Sequence, residues 1–144
     1  MESGARIRLI FGKAYKAIER FDRESIADTG LNLSDFTIME ALLHKGPLPV
    51  NTIGKKVLLT SGSMTAAVNR LGRKGFVKRM QDPSDGRCFY VYLTKSGRKL
   101  IKQAYEKHER NLEKIAEALT PEERDVFVRL LKKIGRHSQR IQIM

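Results

Sequence analysis

The chain has 144 residues, with 28 Lys+Arg against 16 Asp+Glu, a net charge of +12, one cysteine and no tryptophan. This length suits one domain with a core of its own, and a lone Cys88 excludes a disulfide framework and suits a reducing compartment. No apolar run approaches the ~18 residues of a membrane span, and the stretch Leu9–Phe11, soon followed by Lys13, is too short for a signal peptide core, so the expected location is cytoplasmic.

From Ala5 to about Ala27, Ile7, Ile10, Phe11, Ala14, Ile18 and Phe21 recur at steps of three and four, the pattern of an amphipathic helix ended by Thr29-Gly30. Ser34 is placed to cap a second helix, Asp35–His44, whose Phe36, Ile38, Ala41, Leu42 and Leu43 supply a buried side; Gly46-Pro47 stops it. A short extended piece, Leu48–Val50, leads into a brief third helix from Asn51 to about Val57. Leu58-Leu59-Thr60 forms a turn, and Ser61 or Ser63 caps a fourth helix running to Lys74, with Gly75 as its stop. Met64, Ala67, Val68 and Leu71 share one face of that helix. The other shows Ser63, Thr65, Ala66, Asn69, Arg70 and Arg73 and holds no acid.

Two strand-like runs follow, Phe76–Gln81 and Cys88–Leu93, joined by Asp82-Pro83-Ser84-Asp85-Gly86-Arg87, a tip that reads as too long for a two-residue hairpin. A long helix starts at Thr94 and carries Leu100, Ile101, Ala104, Tyr105, Leu112, Ile115 and Leu119. Thr120-Pro121-Glu122-Glu123 is a capping box that opens a last helix with Val126, Phe127, Leu130, Leu131 and Ile134. The predicted fold class is mainly α with a small β-hairpin wing.

Charge is unevenly placed. Residues 1–45 balance, whereas residues 46–98 hold ten basic and two acidic side chains, two thirds of the total excess. A field of one sign points to a polyanion. Catalytic signatures are missing by comparison: Gly54-Lys55 lacks the rest of a phosphate loop, and Gly62-Ser63 lacks the second glycine of a nucleophile elbow. His44, His108 and His137 are too far apart for ligand spacing and read as helix-surface or interface residues, so no metal or other cofactor is expected. Cys88, at a strand start, reads as a small half-buried hydrophobe; its neighbour Arg87 could lower the thiol pKa and make it a redox sensor.

Helix three, a tight turn and helix four make a helix-turn-helix, whose second helix fits the DNA major groove. Ser61, Ser63 and Thr65 offer hydroxyls near its N-terminus, Asn69 can pair with adenine, and Arg70 with guanine or phosphate. The hairpin adds a wing with Arg87 at its tip, suited to a narrow A·T-rich minor groove, and Asp85 is placed to orient that guanidinium.

The segment SGSMTAAVNRLGRKGFVKR, the wing DPSDGR and the strand closing in LTKSG resemble the winged-helix core of the MarR family of bacterial transcriptional regulators, and the flanking helices fit as well. The resemblance implies one MarR-type domain over 1–144, with 30–98 as the DNA-binding core and 1–28 and 99–144 as a helical dimerisation region. It places Arg87 in the minor groove with Asp85 supporting it, and major-groove contacts on Ser61, Ser63, Thr65, Asn69 and Arg70, extending to Arg73 and Lys74. The segment VLLTSGSMTAAVNRL is similar to a branch that answers to quinones and catechols. The first-helix cysteine of some oxidant-sensing relatives is missing, as are the clustered ligands of zinc-sensing ones.

The wide apolar stripes of the first and last two helices independently call for a partner's equivalents, giving a homodimer that reads a pseudo-palindromic operator in double-stranded DNA. A crevice beside the dimer helices can take a small aromatic effector, with Phe11, Tyr15, Phe36, Met39 and Tyr105 as candidate lining. The expected function is a non-enzymatic repressor released by a phenolic or quinone-like ligand. The rival readings are a thiol switch at Cys88 and a non-specific architectural nucleic-acid-binding protein.

Overall fold

A computed structural model describes residues 1–57 and 61–143, and the chain divides into two compact units, Met1–Glu109 and Arg110–Met144. In the first, α1 (Gly4–Ile26) and one 3₁₀ turn precede α2 (Leu33–Lys45). Then come β1 (Leu48–Pro49), α3 (Val50–Val57), α4 (Ser61–Arg73), β2 (Val77–Asp82), β3 (Asp85–Leu93) and α5 (Lys95–Ala116), which runs on into the second unit. The second unit also holds α6 (Pro121–Arg140). No described helix is long and apolar enough to cross a membrane.

The apolar face read for α4 and Phe36, Ile38 and Leu42 of that read for α2 enter the core of the first unit; Ala41 and Leu43 are only partly buried, and Met39 takes a core place instead. Phe36, Ile38, Met39 and Leu42 of α2 pack with Ile53 of α3, Met64, Ala67, Val68 and Leu71 of α4, and Ile101 of α5. Each large side chain buried there is worth roughly 1.5–3 kcal/mol of transfer free energy, so the three central helices hold one another by the faces that their three- and four-residue spacing aligns. Val77 and Val91 extend this core beneath the sheet.

Local punctuation sets where the elements stop. Asn32, not Ser34, caps α2: its side chain accepts from the Asp35 N–H at 2.8 Å, the three-residue reach that a cap needs. Gly75, at φ 79°, turns the chain out of α4 into the wing. The capping box at Thr120 forms in both directions, with Thr120 Oγ1 accepting from Glu123 N and Glu123 Oε1 accepting from Thr120 N. The expected turn at 58–60 lies outside the described residues.

The wing differs from the predicted hairpin in two ways. Leu48 and Pro49 pair with Val91 and Tyr90, making a three-stranded antiparallel sheet in the order β1-β3-β2. Proline cannot donate to a ladder, and here it sits on an edge strand. The tip is also tighter than expected. Asp82 pairs with Asp85 across Pro83-Ser84, while Gln81 pairs with Phe89, so the surplus residues form a bulge on β3. Asp82 closes this turn by accepting from the Ser84 N–H (2.9 Å) and hydroxyl (2.8 Å), and Gln81 Nε2 donates to Gly86 O across the bulge at 2.7 Å.

Two helices expose long apolar faces. On α1, Ile7, Leu9, Ile10, Phe11, Tyr15 and Ile18 are exposed. On α6, Val126, Phe127, Val128, Leu130, Leu131 and Ile134 are exposed, and no residue of the helix is buried.

Candidate nucleic-acid interface

Helices α3 and α4 and the strands of the wing surround a crevice of about 490 Å³. Thr65 from α4 and Arg87 from the wing, both candidates from the sequence, line it. Asn51 and Lys55 of α3 and Arg79 of β2 join them, and these three were not anticipated. Strand period would have exposed Arg79: it shares a sheet face with Val77, which turns into the core beside α4. The α3 residues carry no comparable mark, since Asn51 and Lys55 read as an ordinary solvated helix face.

The wing tip is held by its own carboxylates. Asp85 Oδ1 accepts from the Arg87 backbone N–H at 3.0 Å and lies 3.5 Å from Arg87 Nε. The Arg87 side chain is 94% exposed. Asp85 therefore fixes the backbone beneath Arg87 and leaves most of the guanidinium's donors directed to solvent. Asp82 is held below the usual carboxylate range, chiefly by the Ser84 N–H. Both acids of residues 46–98 are thus tied into the tip, and the ten basic side chains of that segment face few compensating charges.

Along α4, Ser63, Thr65 and Arg73 are exposed on the outward side. The side chain of Ser61 lies outside the described residues. Asn69 is exposed, and its Oδ1 accepts from Arg79 Nη2 at 2.7 Å, which links α4 to β2. Lys74, just past the helix, points Nζ at Gly30 O at 3.5 Å. Arg70, expected to face DNA, turns to the buried Asp35 of α2: Nη2 donates to Oδ1 at 2.8 Å and Nε to Oδ2 at 3.4 Å. The Asp35 carboxylate raises the Arg70 pKa above its ordinary value.

Cys88 is exposed rather than half-buried and lies among the unpaired residues of the β3 bulge. Its thiol lies 3.6 Å from Asp85 Oδ2. That carboxylate pushes the thiol pKa up, outweighing the opposite pull of Arg87. The shift is therefore opposite to the one that the rival redox-sensor reading needs.

The proposed effector residues are dispersed in character. Phe36 and Met39 are wholly buried in the core, where they fill the seam between helices and present no surface to a ligand. Phe11 and Tyr15 stand exposed on α1, and Tyr105 packs its ring edge-on against His44 with centroids 4.5 Å apart. His108, read as a surface or interface residue, is instead buried. Its Nδ1 lies 2.8 Å from Ser25 Oγ, Nε2 lies 3.6 Å from Asp22 Oδ1, and the ring meets Phe36 edge-on. No group of three or more His, Cys, Asp or Glu among the described residues is arranged to hold a metal ion.

Residues 31–89 match the MarR family model. The uncharacterized HTH-type transcriptional regulator YkoM of Bacillus subtilis is 33% identical over 141 residues, which is 98% of this chain and 92% of that protein. Two solved structures share the fold. A mutant MarR from E. coli complexed with operator DNA has a TM-score of 0.80 at 23% identity, covering 88% of this chain and 91% of its own. Bordetella bronchiseptica BpsR, whose DNA binding is regulated by 6-hydroxynicotinic acid, has a TM-score of 0.80 at 24% identity, covering 90% and 98%. With YkoM-level identity over nearly its whole length, a family match on the helix-turn-helix and wing, and that fold, the chain belongs to the MarR family of DNA-binding transcriptional regulators and is not an enzyme.

Proposed function

We propose that the protein is a cytoplasmic homodimeric repressor that reads a pseudo-palindromic operator and is released by a hydroxylated aromatic ligand. The observation that carries the reading is the pairing of an acid-free α4 face with a 94% exposed Arg87 around one basic crevice. In this reading Ser61, Ser63, Thr65 and Asn69 face the major groove, Arg73 and Lys74 approach the backbone, and Arg87 enters the minor groove with Asp85 beneath it. Asn51, Lys55 and Arg79 add to the same surface.

The uncovered faces of α1 and α6 support a dimer. Contiguous apolar patches of this kind are uncommon on a monomer, and a second copy supplies the matching surface. Two copies then present two α4 helices about one DNA turn apart, roughly 34–36 Å. The 1–28 and 99–144 segments serve as the dimerisation region and 30–98 as the DNA-binding core of a single MarR-type domain. A hydroxylated aromatic effector is favoured by the exposed Phe11 and Tyr15 and half-buried Tyr105, and by BpsR's regulation by 6-hydroxynicotinic acid. Ligand and operator then weaken each other by equal factors.

Selection of bound duplexes from a random pool, followed by competition, tests this reading. A specific regulator keeps its preferred duplex by a factor of ~10³ or more over random DNA. Loss of that duplex to random competitor would favour the architectural alternative. Phenolic compounds screened for release of the selected duplex then test the effector.

A further inference from the structure

Two neighbouring polar residues of α4 bond to opposite flanks, Asn69 at the surface and Arg70 toward the core. Asn69 meets Arg79 of β2, and Arg70 meets Asp35 of α2. The second contact is the more demanding one. The Asp35 side chain is 1% exposed, in the first turn of α2 and among core residues, where a charged group is kept only with a partner. Its two oxygens receive two different nitrogens of one rigid guanidinium, Nη2 at 2.8 Å and Nε at 3.4 Å. A two-point contact to a planar fork fixes orientation as well as distance.

That matters because of where Arg70 sits. Ser63 is seven residues toward the N-terminus, about 10 Å along the axis at ~1.5 Å per residue. A turn of ~10° about that axis moves a surface atom, ~5–6 Å from it, by about 1 Å. Hydrogen bonds to base edges tolerate only about half an ångström of spread, so such a turn would break them. The apolar face of α4, built from Met64, Ala67, Val68 and Leu71, resists separation from the core but supplies no such directional lock.

We infer that Asp35 and Arg70 form a positioning pair for the recognition helix: Asp35 controls operator recognition from inside the core, and Arg70 acts through Asp35 rather than by reading a base. The inference rests on α4 being the helix that reads DNA.

The test uses the full chain and the duplex recovered by selection. Asp35→Asn keeps the shape of the side chain and removes its charge. At matched salt it is expected to weaken the preferred duplex by ~10-fold or more, with preference falling at several base pairs together. The dependence of log K on log salt should keep its slope, because no phosphate contact is lost. Arg70→Gln should match it, and the double variant should be no worse than the weaker single, as for two halves of one contact. If Arg70 reads a base instead, Asp35→Asn frees the guanidinium and leaves affinity equal or higher, and Arg70→Gln loses preference at one base pair only. Either result overturns the inference. Arg70→Lys retains the buried charge balance and so protects the fold, but a single ammonium cannot fork both oxygens. It should lose several-fold in affinity with an unchanged melting profile, and wild-type recognition by it would equally refute the pair. Absence of any preferred duplex for the wild-type chain would instead remove the underlying DNA reading.

Discussion

Gly97→Ala places a methyl group against the joint between α4 and the wing. Gly97 is buried in the first turn of α5, and a Cβ built on it would lie 2.0 Å from Phe76 O, 2.8 Å from Phe76 C and 3.0 Å from its Cα. Non-bonded carbons prefer about 3.5–4.0 Å, so the Gly75-Phe76 segment must retreat by more than about 1 Å. Its carbonyls are held by three bonds, Phe76 O accepting from Thr94 N at 3.0 Å and Gly75 O from Thr94 Oγ1 at 2.6 Å and Ser96 Oγ at 3.1 Å, and its N–H groups donate to Gly72 O and Leu71 O at 3.0 Å each. Overpacking of this kind costs about 1–3 kcal/mol, and loss of the Phe76 bond adds ~0.5–1.5 kcal/mol. The better helix propensity of alanine offsets roughly 0.5–1 kcal/mol. The net is a destabilisation of about 2 kcal/mol, which for a chain of this size lowers Tm by roughly 4–8 °C. Urea titration should show a lower midpoint with the slope unchanged. Gly72→Ala is the control, since its nearest atom is Val77 O at 4.0 Å, and it should gain up to ~1 kcal/mol. A Gly97→Ala protein as stable as the wild type would show that the Phe76 joint yields freely, and the steric reasoning would fail.

Arg87→Ala should weaken operator binding by at least ~1 kcal/mol at matched salt and lower the salt slope by about one, while the melting curve stays in place because the side chain is almost wholly exposed; unchanged affinity would count against its placement in a groove. Removing Asp85 takes away the group that holds the Cys88 thiol up, so Asp85→Ala should speed iodoacetamide alkylation near neutral pH. Equal rates would mean that the carboxylate does not govern the thiol. Burial likewise holds the Glu40 carboxyl above its ordinary range, against the pull of His44 and His108. A carboxyl whose folded pKa is raised destabilises the fold when ionised, fully above the folded pKa and less as pH falls toward the unfolded value. Glu40→Gln should therefore raise Tm at pH 8, with a gain that shrinks as the pH drops through that raised value; a gain independent of pH would contradict the assignment.

What the sequence made legible followed from regular spacing. The buried face Met64, Ala67, Val68 and Leu71 emerged from period alone, and the box at Thr120 from residue types at fixed offsets. Position-specific competition was harder. Asn32 and Ser34 are both good caps two residues apart, and only the geometry of the Asp35 N–H decides between them. The extended piece at Leu48–Val50 was legible, but the two-residue β1 is too short to show alternation, so its pairing with β3 was not. The wing bulge depends on which backbone groups Asp82 and Gln81 capture, not on tip length. Asp35 is the clearest case. An acid in the first turn of a helix is favoured by the helix dipole in any protein, so nothing in its neighbourhood signals a partner 35 residues away. Arg70 was then read by its periodic position, which aligns it with Ser63 and Asn69, while its long side chain reaches round to α2.

The same distinction bears on how charge is used. Residues 46–98 carry the largest excess of positive charge in the chain, yet its members differ in task. Arg70 is neutralised by a buried carboxylate and stiffens the α4 frame, Arg79 donates to the neutral amide of Asn69 and keeps its charge, and Arg87 extends from a tip whose two acids are tied to backbone and serine. An argument from net charge treats these arginines alike and predicts that each contributes similarly to the salt dependence of binding. The structure separates them. Charges held by the fold release no counterions when DNA arrives, and their loss should disturb recognition at constant slope. Charges left in solvent should alter the slope with little change in stability. The ratio of those two effects, residue by residue along this segment, is therefore a measure of which basic side chains read the duplex and which hold the reader in place.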